Sequence, residues 1–412
     1  MDMLRFCLLL QLCVLAVSQK TVLDSPINLY LYRQVRNWFL QNFGMKNEER
    51  SFLAQNLKSL VEKEVSKNVP FPCNVTGGRS SKIPESVHRL RPGDIDVIAA
   101  MGDSLTAGNG LFATNLLEVF IENRGATALI GGQGTWRTYL TLPNILKEYN
   151  PKLIGYAYGD SLTNQPGSQL DVAEIGAMSR DMPFMAKHLV GRIKNDSRID
   201  VKRHWKLISL LIGHNDFCTD ICTLSSPWSV LDNHRLDLIN TFKILRDNLP
   251  RTLVILHVMA NLKELVAARQ GKNFLKCYLT TTFECPCLFA LQFRDQRQKY
   301  FEIMERWQNI EEEVADYPEF HTNDFTIIVS LILKGKLPLA EDGHIDLSYL
   351  SADCFHLSQK SNARMVNSVW NTLFEPIDNK STNWAPIYEK FLCPTAEIPF
   401  FLTRENSKGI NK

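Results

Sequence analysis

Apolar and polar positions along the chain follow two rhythms. Four short runs are apolar almost throughout: 94–101 (DIDVIAAM), 205–212 (WKLISLLI), 251–259 (RTLVILHVM) and 325–330 (FTIIVS). Runs of this length without a polar face suit strands buried on both sides. Between them the apolar period lengthens to three or four. Val230, Leu231, Leu238, Ile239, Phe242 and Leu245 mark one helix, and 293–315 reads as a charged amphipathic helix. A closing helix spans 358–374, with Ser358 as its N-cap and Met365, Val366, Val369, Trp370 and Leu373 on its apolar face. This alternation predicts an α/β fold with a central parallel sheet covered on both sides by helices.

Upstream, apolar residues recur at Leu31, Val35, Trp38 and Phe39, then at Leu53, Leu57, Leu60 and Val61, which predicts a broken pair of helices over 29–65. Residues 71–84 are rich in Pro, Gly and Ser and read as a loop. No repeat, low-complexity tract or linker divides the chain after residue 84. The expected organisation is a helical extension and loop over 19–84, one catalytic domain over 85–407, and a polar tail over 408–412.

Residues 1–18 read as a secretory signal. Arg5 supplies a positive charge, 6–17 is apolar except for Gln11, and Ala16-Val17-Ser18 offers small residues for cleavage. The apolar run is short of the roughly 20 residues needed to span a bilayer. The next longest, 325–333, suits a buried strand, and the tail after 401 carries no lipid-anchor signal. The expectation is a secreted protein without a transmembrane anchor. Of ten cysteines, Cys7 and Cys13 leave with the signal. The even remainder (Cys73, Cys218, Cys222, Cys277, Cys285, Cys287, Cys354 and Cys393) reads as disulfides, among about a hundred possible pairings. Zinc is the rival for the close pairs Cys218/Cys222 and Cys285/Cys287, but the compartment is oxidising and no His pair sits at ligand spacing. Sequons at Asn74, Asn195 and Asn379 mark candidate glycosylation sites on surface loops.

Composition narrows the classes. The 412 residues are 45% hydrophobic and 22% charged, which buries a core and excludes disordered, collagen-like and coiled-coil chains. A formal charge of +2 gives no field for holding polyphosphate, so nucleic acid is not an expected partner.

Candidate chemistry sits where the predicted strands end, the usual place for it in open α/β sheets. Ser104, in Gly102-Asp103-Ser104, follows the first strand and opens a helix. Its hydroxyl can act as a nucleophile, or it can simply cap that helix. Gly131-Gly132-Gln133-Gly134 offers unobstructed N–H donors, or a plain turn. Asn215, in Gly213-His214-Asn215-Asp216, can present an amide to an oxyanion, or hold its own turn. Asp353 lies three residues before His356, a spacing that lets the carboxylate accept Nδ1–H and free Nε2 to take a proton from a serine. A lone His before a helix is more often structural; the pairing carries the weight.

In this order the segments GDSLTAGNG, IGGQG, GHND and DCFH resemble the SGNH (GDSL-type) hydrolase family. Average residue frequencies would place GDSL in a chain this long about once in a hundred times, and four ordered blocks are far rarer. Wider stretches, including LTLPNILKEYNP, WKLISLLIGHNDFC and SVWNTLFEP, are similar to the phospholipase B group and its membrane-associated multi-repeat members. The resemblance runs from about Pro84 to Ser407 and implies a three-layer α/β/α flavodoxin-like fold. It implies Ser104 as nucleophile, His356 as general base and acid, and Asp353 as its orienting partner. The oxyanion hole would be Ser104 N–H, Gly132 N–H and the Asn215 side chain. No metal or organic cofactor is implied. The implied substrate is a phospholipid or lysophospholipid, met with transient contact at a lipid surface. A general carboxylesterase or a sugar O-deacetylase uses the same chemistry. An inactive lipid-binding relative is the non-enzyme alternative, against which the intact Ser104, Asp353 and His356 count. Gln133 stands where relatives have Asp, and His214 where they have a small or apolar residue; both bear on specificity. Unlike the multi-repeat members, this chain is expected to carry one unit and no anchor. Leu111, Phe112 and 283–293 are the apolar surface expected near Ser104.

Overall fold

The computed structural model describes residue 23 and residues 25–43, 60–267, 274–341 and 345–408. The expected export signal over 1–18 lies outside the described residues, as do Leu53 and Leu57 and all but the first residue of the 408–412 tail.

The four apolar runs are strands: β1 (Ile95–Gly102), β2 (Trp205–Leu211), β3 (Thr252–His257) and β4 (Phe325–Ser330). They lie side by side in that order, all parallel. On the free edge of β1 a further stretch pairs in parallel, with Asp171 opposite Ala100. Leu170 accepts the Ala100 N–H, and the N–H groups of Val172 and Glu174 donate to Ala100 and Gly102. Counting that stretch, the second extended segment in chain order lies outside the first. This is the flavodoxin-like order, whose switch point falls between β1 and β2.

Eight helices matter for the site and the core: α1 (Pro26–Phe43), α2 (Ser104–Ala107), α3 (Leu142–Tyr149), α4 (Met182–Asn195), α5 (Ser229–Asn248), α6 (Phe274–Glu284), α7 (Arg297–Ala315) and α8 (Gln359–Thr372). Strand side chains alternate between two cores, as pleating requires. Val97, Ala99, Ile208, Leu210, Val254 and Ile327 pack with residues of α4, α5 and α7 such as Leu189, Phe242 and Val314. Ile98, Ala100, Leu207, Leu253, Ile255 and Ile328 pack with α3 and α8 residues such as Ile145, Val366 and Trp370. The result is three layers, α/β/α. Ser358 caps α8 as expected, its hydroxyl accepting the Ser361 N–H at 3.3 Å.

The reading of 29–65 as a helix pair needs correction. Its first half is α1, but 60–65 is irregular, with Val61 and Glu62 buried against the body. Four disulfides join Cys73 to Cys393, Cys218 to Cys285, Cys222 to Cys287 and Cys277 to Cys354. The close cysteine pairs are thus spent on disulfide bonds rather than on zinc. Asn74, Asn195 and Asn379 are all exposed. Among the described residues no helix is long and apolar enough to cross a membrane.

Candidate active site

Ser104 is placed by the meeting of β1 and β2. A side chain at Gly102 would stand 2.4 Å from the Leu211 carbonyl oxygen, so only glycine lets the two strand ends close up. The chain then turns into α2, where Asp103 caps the helix by accepting the Leu105 N–H at 2.9 Å. Ser104 is the first helical residue, nearly buried, with its hydroxyl 2.9 Å from Nε2 of His356.

His356 arrives on a loop with its own scaffold. Its carbonyl accepts the Ser351 N–H at 2.7 Å, and the Ser351 hydroxyl donates to Gly110 at 2.7 Å. One Asp353 oxygen accepts the N–H groups of Phe355 (2.9 Å) and His356 (3.0 Å); the other lies 2.6 Å from Nδ1 of His356. With Nδ1–H given to the carboxylate, Nε2 is the acceptor for the Ser104 hydroxyl. From the other side, Thr280 of α6 donates to the Asp353 carbonyl at 2.6 Å, and the Cys277–Cys354 disulfide anchors the loop to the same helix. Burial by itself pushes the Asp353 carboxyl up, but the adjacent His356 and the hydrogen bonds outweigh it and leave it below the usual carboxylate value. Burial likewise pushes His356 down, yet the Asp353 charge, with Glu284 and Asp103 nearby, leaves it above the ordinary histidine value. Both shifts favour an ion pair, the state reached when Nε2 has taken a proton.

The donors around Ser104 differ from those expected. Asn215 lines the cleft at the end of β2, and one of its amide hydrogens goes to the Ala177 carbonyl at 2.9 Å. Gly132 does not line this cleft, and its N–H is already given to Ala157 at 2.7 Å. Its carbonyl accepts Nζ of Lys147 at 2.7 Å, and a Cβ there would meet the Tyr156 ring at 2.1 Å. The glycine cluster is a tight turn packed against a neighbouring strand-like segment. Gly176, which carries no sequence motif, lines the cleft with Ser104, Asn215 and His356 at a φ of +79°. The stretch beside β1 delivers it there. Among the described residues, neither the Ser104 nor the Gly176 N–H is used in another hydrogen bond.

Two clefts meet at Ser104 and Asn215. The wider, about 540 Å³, is bordered by Tyr32, Arg36 and Phe39 of α1 and by Phe283 and Glu284 of α6. The narrower, about 80 Å³, is lined chiefly by apolar groups, including Leu265, Leu337, Phe355 and Trp384. His214 lines the narrow cleft; its Nε2 accepts the Ala260 N–H at 3.3 Å and its Nδ1 faces Asp103 at 3.5 Å. Gln133 lines neither cleft. Of the apolar surface expected near Ser104, Phe283 lines the wide cleft, whereas Leu111 and Phe112 are buried in a separate cluster with Val61 and Tyr139. Among the described residues no cluster of three His, Cys, Asp or Glu side chains is placed to hold a metal.

Comparison with known proteins bears on this arrangement. The family model described as GDSL-like Lipase/Acylhydrolase matches residues 98–369, a span that contains Ser104, Gly176, Asn215, Asp353 and His356. The chain is similar to "Phospholipase B1, membrane-associated" of Homo sapiens, 36% identical over 338 residues, which is 80% of this chain and 22% of that protein. The Mus musculus protein of the same description is 33% identical over 378 residues, 89% of this chain and 25% of that one. The chain thus spans about a quarter of the length of these curated relatives.

Proposed function

The chain belongs to the GDSL-like lipase/acylhydrolase family, and on that premise we propose that it is a secreted phospholipase B-like enzyme that hydrolyses acyl esters of phospholipids and lysophospholipids through Ser104, His356 and Asp353. The observation that carries this is the continuous relay of 2.9 Å and 2.6 Å contacts from the Ser104 hydroxyl through His356 to Asp353. The Ser104 oxygen attacks the ester carbonyl carbon while its proton passes to Nε2. The carbonyl oxygen becomes an oxyanion, received by the N–H groups of Ser104 and Gly176 and by the second amide hydrogen of Asn215. The intermediate collapses by breaking the bond to the alcohol oxygen, which takes the proton from His356. Water then attacks the acyl-serine with His356 again as base. Collapse releases the fatty acid and restores the Ser104 hydroxyl.

Export is supported by the leader-like residues 1–18 and by four disulfides, which persist in oxidising compartments. The catalytic unit over 85–407 is read as following a short N-terminal extension, with carbohydrate expected at Asn74, Asn195 and Asn379. An amphiphilic substrate suits the paired clefts, with the acyl chain beside the apolar lining and the glycerophospho portion on the wider, more polar side. The small volume of the apolar cleft favours a second reading, a short-chain carboxylesterase or sugar O-deacetylase.

Relative kcat/KM for palmitoyl lysophosphatidylcholine, p-nitrophenyl acetate and an acetylated sugar separates the two. The lysophospholipid is expected to lead, with all activity lost in Ser104→Ala. Dominance of the acetyl substrates would replace the phospholipase reading with the second one.

A further inference from the structure

Helix α1 has its polarity reversed for a helix bordering water. Its only charged residues point inward, Arg33 to Glu174 at 3.0 Å and Arg36 to Glu122 at 3.4 Å. Most of its outward positions are apolar, with Gln34, Gln41 and Asn42 as uncharged exceptions: Ile27 is 68% exposed, Tyr30 62% and Val35 55%, with Leu31 between them. The spacing 27, 30, 31, 35 is one continuous helical stripe. Helix α6 repeats the pattern, with Leu275 at 74%, Leu279 at 59% and Phe283 at 78% exposure in i, i+4, i+8 register. Contiguous exposed apolar surface on this pattern marks an interaction site rather than scattered surface residues.

The two stripes share a location. Val35 and Phe283 are exposed and also line the wide cleft that contains Ser104 and His356. We propose that α1 and α6 form a landing face that seats the mouth of the wide cleft on the surface of a zwitterionic phospholipid aggregate. This rests on the phospholipase reading above, and it adds how the substrate is met. The position of the stripes selects the occupant. A protein or second copy covering Val35 and Phe283 would close the mouth of the wide cleft, whereas a lipid surface covers them and supplies the ester. Charge selects the lipid. The charged residues of the two helices are Arg33, Arg36, Lys276 and Glu284; the two arginines are paired inward and Glu284 lines the cleft. Only Lys276 is left on the outer face, so adsorption runs on apolar burial and needs no anionic headgroups. Helix α1 lies outside the span matched by the family model, in the extension that precedes the first strand.

Flotation of the full chain with phosphatidylcholine vesicles tests the proposal, alongside hydrolysis of vesicle phosphatidylcholine and of water-soluble p-nitrophenyl butyrate. The wild type is expected to float, and to do so equally at high salt. Two double variants, Ile27→Ser with Leu31→Gln and Leu275→Gln with Leu279→Gln, are each expected to cut the floated fraction and vesicle hydrolysis by about tenfold or more. Neither pair lines the cleft, so butyrate hydrolysis should stay within about twofold of wild type. The proposal is overturned if the wild type hydrolyses butyrate but does not float, if it floats only with anionic lipid, or if both double variants float like wild type. It is also overturned if the wild type is a dimer in solution that either double variant splits, since the face then belongs to a second copy. Loss of all ester hydrolysis in the wild type would instead sink the phospholipase reading, and flotation would still decide whether the face adsorbs.

Discussion

The side-chain amide of Asn215, which lines the cleft with Ser104, has two hydrogens, one of them held by the Ala177 carbonyl. Replacing it by alanine removes the proposed oxyanion donor and should lower kcat by ~10²–10³ with KM little changed. Gly132→Ala should do the opposite. Its Cβ would enter the Tyr156 ring, so it should lower the melting temperature while the folded fraction keeps wild-type kcat. Loss of kcat in fully folded Gly132→Ala would return that glycine to the oxyanion hole. The contrast shows what single residues reveal in a sequence. Ser104, Asn215, Asp353 and His356 stand in short motifs whose residue types announce the chemistry. Gly176 stands alone in a segment without a motif, and only the pairing of Asp171 with Ala100 brings it beside Ser104. A cluster of glycines reads as a cradle because glycine serves close packing and anion binding equally well. The proposed catalytic histidine should also set the pH profile. Asp353 holds the His356 proton more tightly, so kcat/KM should rise with pH through a midpoint above the ordinary histidine value. Asp353→Asn removes that charge and should move the midpoint to lower pH while costing about 10⁴ in kcat. An unmoved midpoint would detach Asp353 from His356.

The loop carrying Asp353 and His356 depends on helix α6, through the Cys277–Cys354 disulfide and the Thr280 hydrogen bond. Cys277→Ser with Cys354→Ser opens a loop with a sequence separation of 77, for which chain entropy alone predicts a loss of about 4 kcal/mol. The expected outcome is a lower melting temperature together with reduced kcat, because the histidine loses its anchor. A drop in melting temperature with unchanged kcat would show that the loop holds its geometry unaided. Elements with an unmistakable rhythm are legible in the sequence. The four strands are apolar almost throughout, and α5, α7 and α8 carry clear stripes. Helix α3 has only eight residues, too few for a period to show. Helix α4 has a regular stripe (Met182, Met185, Ala186, Leu189, Ile193), but it comes after a long irregular stretch that supplies no strand to frame it. The disulfide partners are not legible, since pairing is set by tertiary approach.

The ends of the described body are stitched together across the fold. Cys73 bonds Cys393 over 320 residues, and the N–H of Phe401 donates to Leu90. Glu62 is buried, accepting the Leu140 N–H at 2.6 Å and the Gln359 amide at 2.8 Å. Burial pushes its pKa up to about 8. Between the unfolded carboxylate value and about 8, the folded state therefore holds a proton that the unfolded chain has lost, and stability falls as pH rises through that window. Thermal melts should decline between about pH 5 and 8.5, and Glu62→Gln, which keeps the acceptor without the charge, should flatten the decline. An equally steep decline in the variant would assign the effect to other groups. The fold also brings together a serine and a histidine 252 residues apart. Whether they act as one unit is read by mass-spectrometric mapping of a fluorophosphonate adduct on the native protein. The account predicts a single adduct on Ser104, absent in Ser104→Ala and greatly slowed in His356→Ala. An adduct on a different residue, or Ser104 labelled equally fast without His356, would contradict it.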